Sequence, residues 1–301
     1  MDYTKEQIRI GTLIKGNART ADYLQGIWRH GFESFQIAFG GGIPEDVGLQ
    51  RLADEIRPIL EESGAVISSL GVYGNSLAEN EAGERIRRDW ERLIDNAGLF
   101  GVDVIAGFAG RVTGKPVPDS IGRFEEVFTP LAERAAGKGL RIAFENCPMG
   151  GNWETGDHNI AFNPDAWELM FDAVPAENLG LEWEPCHQMC QLIDPLPQLR
   201  EWVGRVFHVH GKDASVHHDA VARRGIHSKD WFAFHRHPGF GDSNWTDIVS
   251  ELRHGGFSGS IDIEGWHDRV YSGALEMTGQ VRALHYLRDC RASFVPNPEA
   301  M

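Results

Sequence analysis

The feature that most constrains this chain is its order of elements. Eight short apolar runs alternate with longer stretches of helical periodicity along nearly the whole sequence. The runs begin near Arg9 (RIGTLI), Ser34 (SFQIAF), Ala65 (AVISSL), Val102 (VDVIAG), Leu140 (LRIAFE), Leu179 (LGLEWE), Val206 (VFHVHG) and Ser260 (SIDIEG). Each is rich in Val, Ile, Leu or Phe, as parallel strands covered on both faces require. Between them, stretches such as Asn80 to Phe100 place Ile86, Trp90, Leu93 and Ile94 at helical spacing among charged residues. Strand and helix in alternation mean a parallel sheet with right-handed crossovers. Eight repeats favour closure into a (β/α)8 TIM barrel, an α/β fold in which residues 1–301 form a single domain. No GxGxxG follows the first run, which counts against an open dinucleotide-binding sheet.

Local signals set the expected boundaries. Pro130 after Thr129 and Pro164 after Asn163 each read as the opening of a helix, with Thr or Asn as N-cap. Gly31, Gly64, Gly101, Gly139 and Gly259 precede strands and read as left-handed helix stops. Two connections are long, Cys147 to about Asn163 and Ala214 to about Asn244. Both follow a strand's C-terminal end, the face on which barrels build their sites, and so read as substrate walls or lids.

Composition narrows the partners. With 29 Lys and Arg against 44 Asp and Glu, and a net charge of −15, the chain lacks the basic face that a phosphate backbone demands. Nucleic acid is therefore excluded as the expected substrate. No window approaches a membrane span, and the N-terminus lacks the basic and apolar regions of a signal peptide. Four cysteines, at 147, 186, 190 and 290, do not make a disulfide framework, so a cytoplasmic protein is expected. The CxxxC pair Cys186 and Cys190 has no second pair and is a weak signal for structural zinc.

The chemistry lies in what ends the last four strands. Glu145 closes LRIAFE, Glu184 closes LGLEWE, His210 closes VFHVH and Glu264 closes SIDIE. One Glu at a strand end is ordinarily solvated, and one His is ordinarily a satisfied polar residue. Four such residues on neighbouring strands at the catalytic face point instead to one site. Three buried carboxylates repel unless a cation or protons neutralise them. One divalent metal resolves this, and the donor set suits Mn2+, Mg2+, Co2+ or Fe2+ better than Zn2+. Strand alternation puts Asp262 beneath Glu264, His208 beneath His210 and Glu182 beneath Glu184. The later member of each pair lies nearer the mouth.

FENCP, LGLEWEPCH, FHVHGKD and GFGDSNW followed by SIDIEG together resemble the sugar phosphate isomerase/epimerase family, whose barrel is xylose isomerase-like. The resemblance runs from IGTLIKG to the final helix. It implies metal ligation by Glu145, Glu184, His210 and Glu264, with Mn2+ favoured, and proton transfer by Glu145 and Glu264. One departure is plain: relatives carry Asp in a DPxH pattern where this chain has Glu184 in EPCH. Pro185 and His187 match that pattern, which favours Glu184 over Glu182.

Around this cup, His187, Asn146, Lys212, Asp213, Trp266 and His158 are candidates for contact with substrate, and Trp153, Arg236 and His237 are further rim candidates. Trp183 alternates away from Glu184 and belongs to the core. The expected reaction is isomerisation or epimerisation of a small sugar or keto-sugar through an enediolate. The main alternative is a lyase acting on 3-oxo-glycosides, like the catalytic subunit of a C-glycoside deglycosidase, which pairs with a small β-subunit. An endonuclease IV-like repair enzyme is opposed by the charge. A homo-oligomer is left open. No Gly-rich phosphate cradle is evident, which favours a non-phosphorylated substrate.

Overall fold

The structure is a computed structural model that describes residues 8–293. Seven strands appear in turn: β1 (Arg9–Lys15), β2 (Ser34–Gly40), β3 (Val66–Tyr73), β4 (Val104–Gly107), β5 (Arg141–Glu145), β6 (Leu179–Trp183) and β7 (Val206–Gly211). A short hairpin, β8 (Asp213–Val216) and β9 (Ala233–Arg236), precedes the last barrel strand, β10 (Ser260–Ile263). β1 to β7 and β10 close in the order β1-β10-β7-β6-β5-β4-β3-β2, and every neighbouring pair is parallel. The eight expected strands are thus the eight staves of a (β/α)8 barrel.

Helices α1 (Thr20–Ile27), α2 (Leu49–Ser63), α3 (Glu81–Phe100), α4 (Val117–Ala136) and α5 (Pro164–Ala173) return the chain between the first six strands. The short α6 (Pro185–Met189) and α7 (Pro195–Trp202) lie between β6 and β7, and α8 (His218–Arg224) lies inside the hairpin. α9 (Trp245–His254) and α10 (Glu276–Arg291) complete the ring. Their apolar faces pack on the outside of the barrel, where Trp90, Trp167, Trp183 and Trp245 are fully buried. Phe128 meets both Trp90 and Phe144 edge-on, at 5.6 and 4.8 Å between ring centres. None of the described helices is long and apolar enough to cross a membrane.

Two boundary signals resolve differently from expectation. Pro164 opens α5 with Asn163 accepting from Ala166 N–H, as the sequence indicates. Pro130, however, lies inside α4, which starts at Val117 behind Pro116. Pro130 and Glu126, whose carbonyl loses its partner, are both exposed, so water replaces the missing bond. Gly31, Gly64, Gly101 and Gly139 are left-handed, but Gly259 is not. The stop after α9 falls at Gly256 (φ 79°), where Phe257 N–H reaches Leu252 O and Gly256 N–H reaches Arg253 O. That pair of bonds ends the helix three residues earlier than expected.

The connection after β5 is irregular from Cys147 to Asn163. The connection after β7 carries structure of its own, because β8 and β9 pair antiparallel from Asp213↔Arg236 to Val216↔Ala233. Both rise from the C-terminal end of the barrel.

Candidate active site

The interior of a barrel like this is ordinarily filled with branched apolar side chains. Here it is polar, and hydrogen bonds cross it. Asp262 on β10 accepts from Ser34 Oγ on β2 (2.6 Å), from Ser68 on β3, and from His208 Nε2 on β7 (2.8 Å). One level higher, Glu182 on β6 accepts from Tyr73 Oη (2.7 Å) and from the Gln36 amide on the opposite side of the ring. His208 Nδ1 and His210 Nε2 lie 2.9 and 3.1 Å from the same carboxylate. Burial opposes ionisation of Glu182, but both imidazoles outweigh it and hold the group well below the usual carboxylate range.

The cup stands on this floor. His210 Nε2 is 2.7 Å from Gln36 Oε1, and the Gln36 amide nitrogen faces Glu182, which orients the amide. The network assigns the proton of His210 to Nε2 and turns the lone pair of Nδ1 toward the mouth. There Nδ1 meets Glu264 Oε2 at 3.3 Å and Glu145 Oε1 at 3.4 Å. Glu184 completes the set: one donor atom each from Glu145, Glu184, His210 and Glu264 lie within 4.8 Å of one another. That spacing matches donors about 2.1–2.4 Å from a common ion, which stand apart by at most twice that radius.

Hydrogen bonding tests the fit further. Both oxygens of Glu184, Oε2 of Glu264 and Nδ1 of His210 are buried without a hydrogen-bond partner. His187 Nε2 comes within 2.8 Å of Glu184 Oε1, but off the direction an N–H bond requires. A folded protein seldom leaves such atoms bare. Lys212 supplies one positive charge, 2.7 Å from Glu264 Oε1, 3.3 Å from His187 Nε2 and 3.9 Å from Glu184 Oε2. Three carboxylates and one ammonium leave two negative charges, which a divalent cation balances. These residues can hold one.

The surroundings set the two outer carboxylates apart. Burial pushes Glu145 up, only partly offset by His210. Burial acts on Glu264 too, but Lys212 and His210 outweigh it and hold this carboxyl well down. Burial and the nearby Lys212 push His187 well below its ordinary value, so its imidazole is neutral.

A cavity of about 990 Å3 opens above the cup. Glu145, His210, Glu264, His187, Lys212 and Tyr73 form its polar end. Leu13, Ala38, Phe108, Met149, Ile226, Trp231 and Phe232 make much of the remaining wall. Met149, Ile226 and Trp231 are large apolar residues exposed by 44, 52 and 67%, and all three face this space.

Of the candidates for substrate contact, His187, Lys212 and Trp266 line the cavity, and Lys15 Nζ sits 5.3 Å above the Trp266 ring. Asn146, Asp213 and His158 are not part of its lining. Asn146 is fully buried and pairs with the backbone of Glu184 in both directions, at 2.8 and 2.9 Å, so it positions the cup from behind. Asp213 is buried and accepts from Ala214 N, Ser243 N and Trp245 Nε1, which ties the root of the hairpin to α9. His158 is exposed on the loop after β5. Trp153 packs against the core, while Arg236 and His237 clasp Asp268. Trp183 is buried, its indole donating to Gln198.

Sequence reading missed Gln36 and Tyr73, which no motif marks, and the apolar rim at Ile226 and Trp231. Glu182, His208 and Asp262 did carry a signal, their two-residue spacing from the cup.

The sequence pattern of the xylose isomerase-like TIM barrel matches residues 26–290. The chain belongs to that family. Solved structures share the fold at low identity. The apo 3-keto-D-glucoside 4-epimerase YcjR from E. coli superposes with a TM-score of 0.69 at 15% identity, covering 94% of this chain and 100% of that one. D-psicose 3-epimerase from Clostridium cellulolyticum H10, solved with D-tagatose, gives a TM-score of 0.70 at 14% identity, covering 95 and 100%. YfiH of Bacillus subtilis (strain 168), an uncharacterised protein, is 23% identical over 288 residues, covering 83% of this chain and 89% of that protein.

Proposed function

We propose that the protein is a divalent-metal-dependent isomerase or epimerase acting on a hydroxylated carbonyl compound of the sugar class. The observation that carries this reading is the cup itself: two carboxylates, Glu145 and Glu264, flank His210 at the polar end of a cavity. The sugar epimerases among the structural neighbours agree with it. Glu145, Glu184, His210 and Glu264 would hold the ion, for which Mn2+ is the first choice given three carboxylates and one imidazole. When bound, such an ion polarises a carbonyl and stabilises negative charge developing on its oxygen.

The remaining work falls to the chain's own side chains. Glu264, kept ionised by Lys212 at 2.7 Å, takes the proton from the carbon beside the carbonyl. Glu145, whose carboxyl burial pushes up, returns a proton, and exchange with solvent resets both carboxyls after turnover. Lys212, at the polar end of the cavity, presents a hydrogen-bond donor to substrate hydroxyls. Four free thiols among the described residues suit the reducing cytosol as its location.

Incubation of the Mn2+-loaded protein with free ketoses, inososes and 3-oxo-glycosides in D2O tests the reading. Deuterium should enter the carbon beside the carbonyl of the true substrate. Turnover with no exchange, where internal return has been excluded, would refute proton transfer.

A second reading rests on the cavity. At about 990 Å3 with exposed Trp231, Ile226 and Met149 at its rim, it has room and apolar wall beyond the needs of one monosaccharide. A lyase that eliminates an aromatic aglycone from a 3-oxo-glycoside would use both. Release of free aglycone in the same screen, or co-purification of a small second subunit, selects this reading over epimerisation.

A further inference from the structure

The cavity wall beside the cup carries a second donor set of different chemical character. Cys186 and Cys190 stand four residues apart on and just after α6, so one helical turn brings both sulfurs to the same face. His235, on the hairpin strand β9, packs beside them, its ring 5.0 Å from that of His187. Cys190 packs against the small cluster that holds Cys186. Cys186 Sγ and one ring nitrogen each of His187 and His235 lie within 4.8 Å of one another. Nδ1 of His235 is buried and has no hydrogen-bond partner. Behind the sulfurs, Met189, Ala214 and Val216 form a small apolar cluster that keeps the site dry. Cys190 and His235 also line the cavity, so a solute entering it can reach them.

We propose that Cys186, His187 and His235, with Cys190 one helical turn further on as the fourth ligand, bind one soft divalent cation of the zinc type. Two thiolates and two imidazoles are a closed tetrahedral set for zinc, whereas the oxygen-rich cup suits harder ions. Two neighbouring sites would therefore sort metals by ligand chemistry. Binding releases one proton from each thiol to solvent, and the two thiolates balance the charge of the ion. His187 couples the centres, because its Nε2 is 2.8 Å from Glu184 Oε1. The assignment does not depend on which reaction the cup performs.

Co2+ serves as the spectroscopic probe of a zinc site. It is added to the full chain, reduced and freed of metal, in the Glu145→Gln/Glu264→Gln background that silences the cup. One equivalent should produce a thiolate-to-cobalt charge-transfer band and the intense visible bands of four-coordinate cobalt, both erased by Zn2+. Cys190→Ser should cut the charge-transfer band to about half, and His235→Gln should weaken binding by roughly tenfold or more. Cys190 and His235 are only partly buried, so both variants should keep the wild-type circular dichroism even if Cys186→Ser does not. Weak octahedral bands alone, or a thiolate band indifferent to Cys190→Ser, would overturn the proposal.

Discussion

Glu182 is the sharpest test of how the barrel interior supports the cup. It is fully buried, accepts hydrogen bonds from Tyr73 Oη and the Gln36 amide, and lies 2.9 and 3.1 Å from His208 and His210. Glu182→Ala removes the acceptor for two donors and a countercharge for His208, whose imidazole is pushed up, against burial, by Asp262 and Glu182. Breaking a buried charged pair on one side costs about 3–5 kcal/mol. The stranded hydroxyl and amide each cost about 1–3 kcal/mol unless water enters the vacated space. We therefore expect a loss of about 4 kcal/mol or more. At about 2.1 cal/mol/K per residue, the 301-residue chain unfolds with about 0.6 kcal/mol/K, so the melting point should fall by roughly 6 °C. Glu182→Gln keeps the shape and one acceptor oxygen, and Tyr73 Oη can turn to accept from the new amide. Its cost should be only about 1–2 kcal/mol. Both variants loosen Gln36 and with it the His210 ring, so Mn2+ affinity should fall about 10-fold or more. Urea midpoints at constant slope, thermal scans and Mn2+ titration by calorimetry measure all three quantities. A Glu182→Ala protein within 1 kcal/mol of wild type, or one binding Mn2+ unchanged, would refute this account of the interior.

Two further predictions bear on the cup and its rim. Glu145→Gln and Glu264→Gln should each reduce turnover to background and weaken Mn2+ binding, read by substrate assay and metal content; unchanged metal content in both would break the assigned set. Asp268, which accepts from His237 N, Val270 N and Tyr271 N, has its carboxyl at about 2, because backbone and His237 hydrogen bonds outweigh burial. Its unfolded value is about 3.9, so its contribution is complete above pH about 4 and is lost as the pH falls through about 2. Arg269 and Val270 beside it are exposed, so screening leaves about 1–2 kcal/mol. Asp268→Asn should lose that amount at neutral pH and flatten the acid limb of the stability curve. A limb as steep as wild type would assign the acid sensitivity elsewhere.

The sequence by itself determined the barrel, because strand and helix period, left-handed glycines and strand count are local signals that all agree. It also determined which strand ends carry ionisable groups and that these lie at the catalytic mouth. What it could not decide was height along the barrel axis. Alternation shows that Glu182 and Glu184, His208 and His210, and Asp262 and Glu264 point inward, but not which member of each pair meets its neighbours. Strand pairing places Glu145 opposite Glu182, and His210 opposite Asp262. The cup nevertheless joins Glu145 to Glu184, and His210 to Glu264. Closing a barrel tilts and staggers the strands, so residues paired across a ladder do not share one level. That stagger is a property of the closed ring and of no single strand. It leaves Glu182, His208 and Asp262 as a hydrogen-bonded floor and lifts Glu145, Glu184, His210 and Glu264 to the mouth. Gln36 and Tyr73, far away in the chain, join the site for the same reason: only closure carries β2 and β3 within reach of β6.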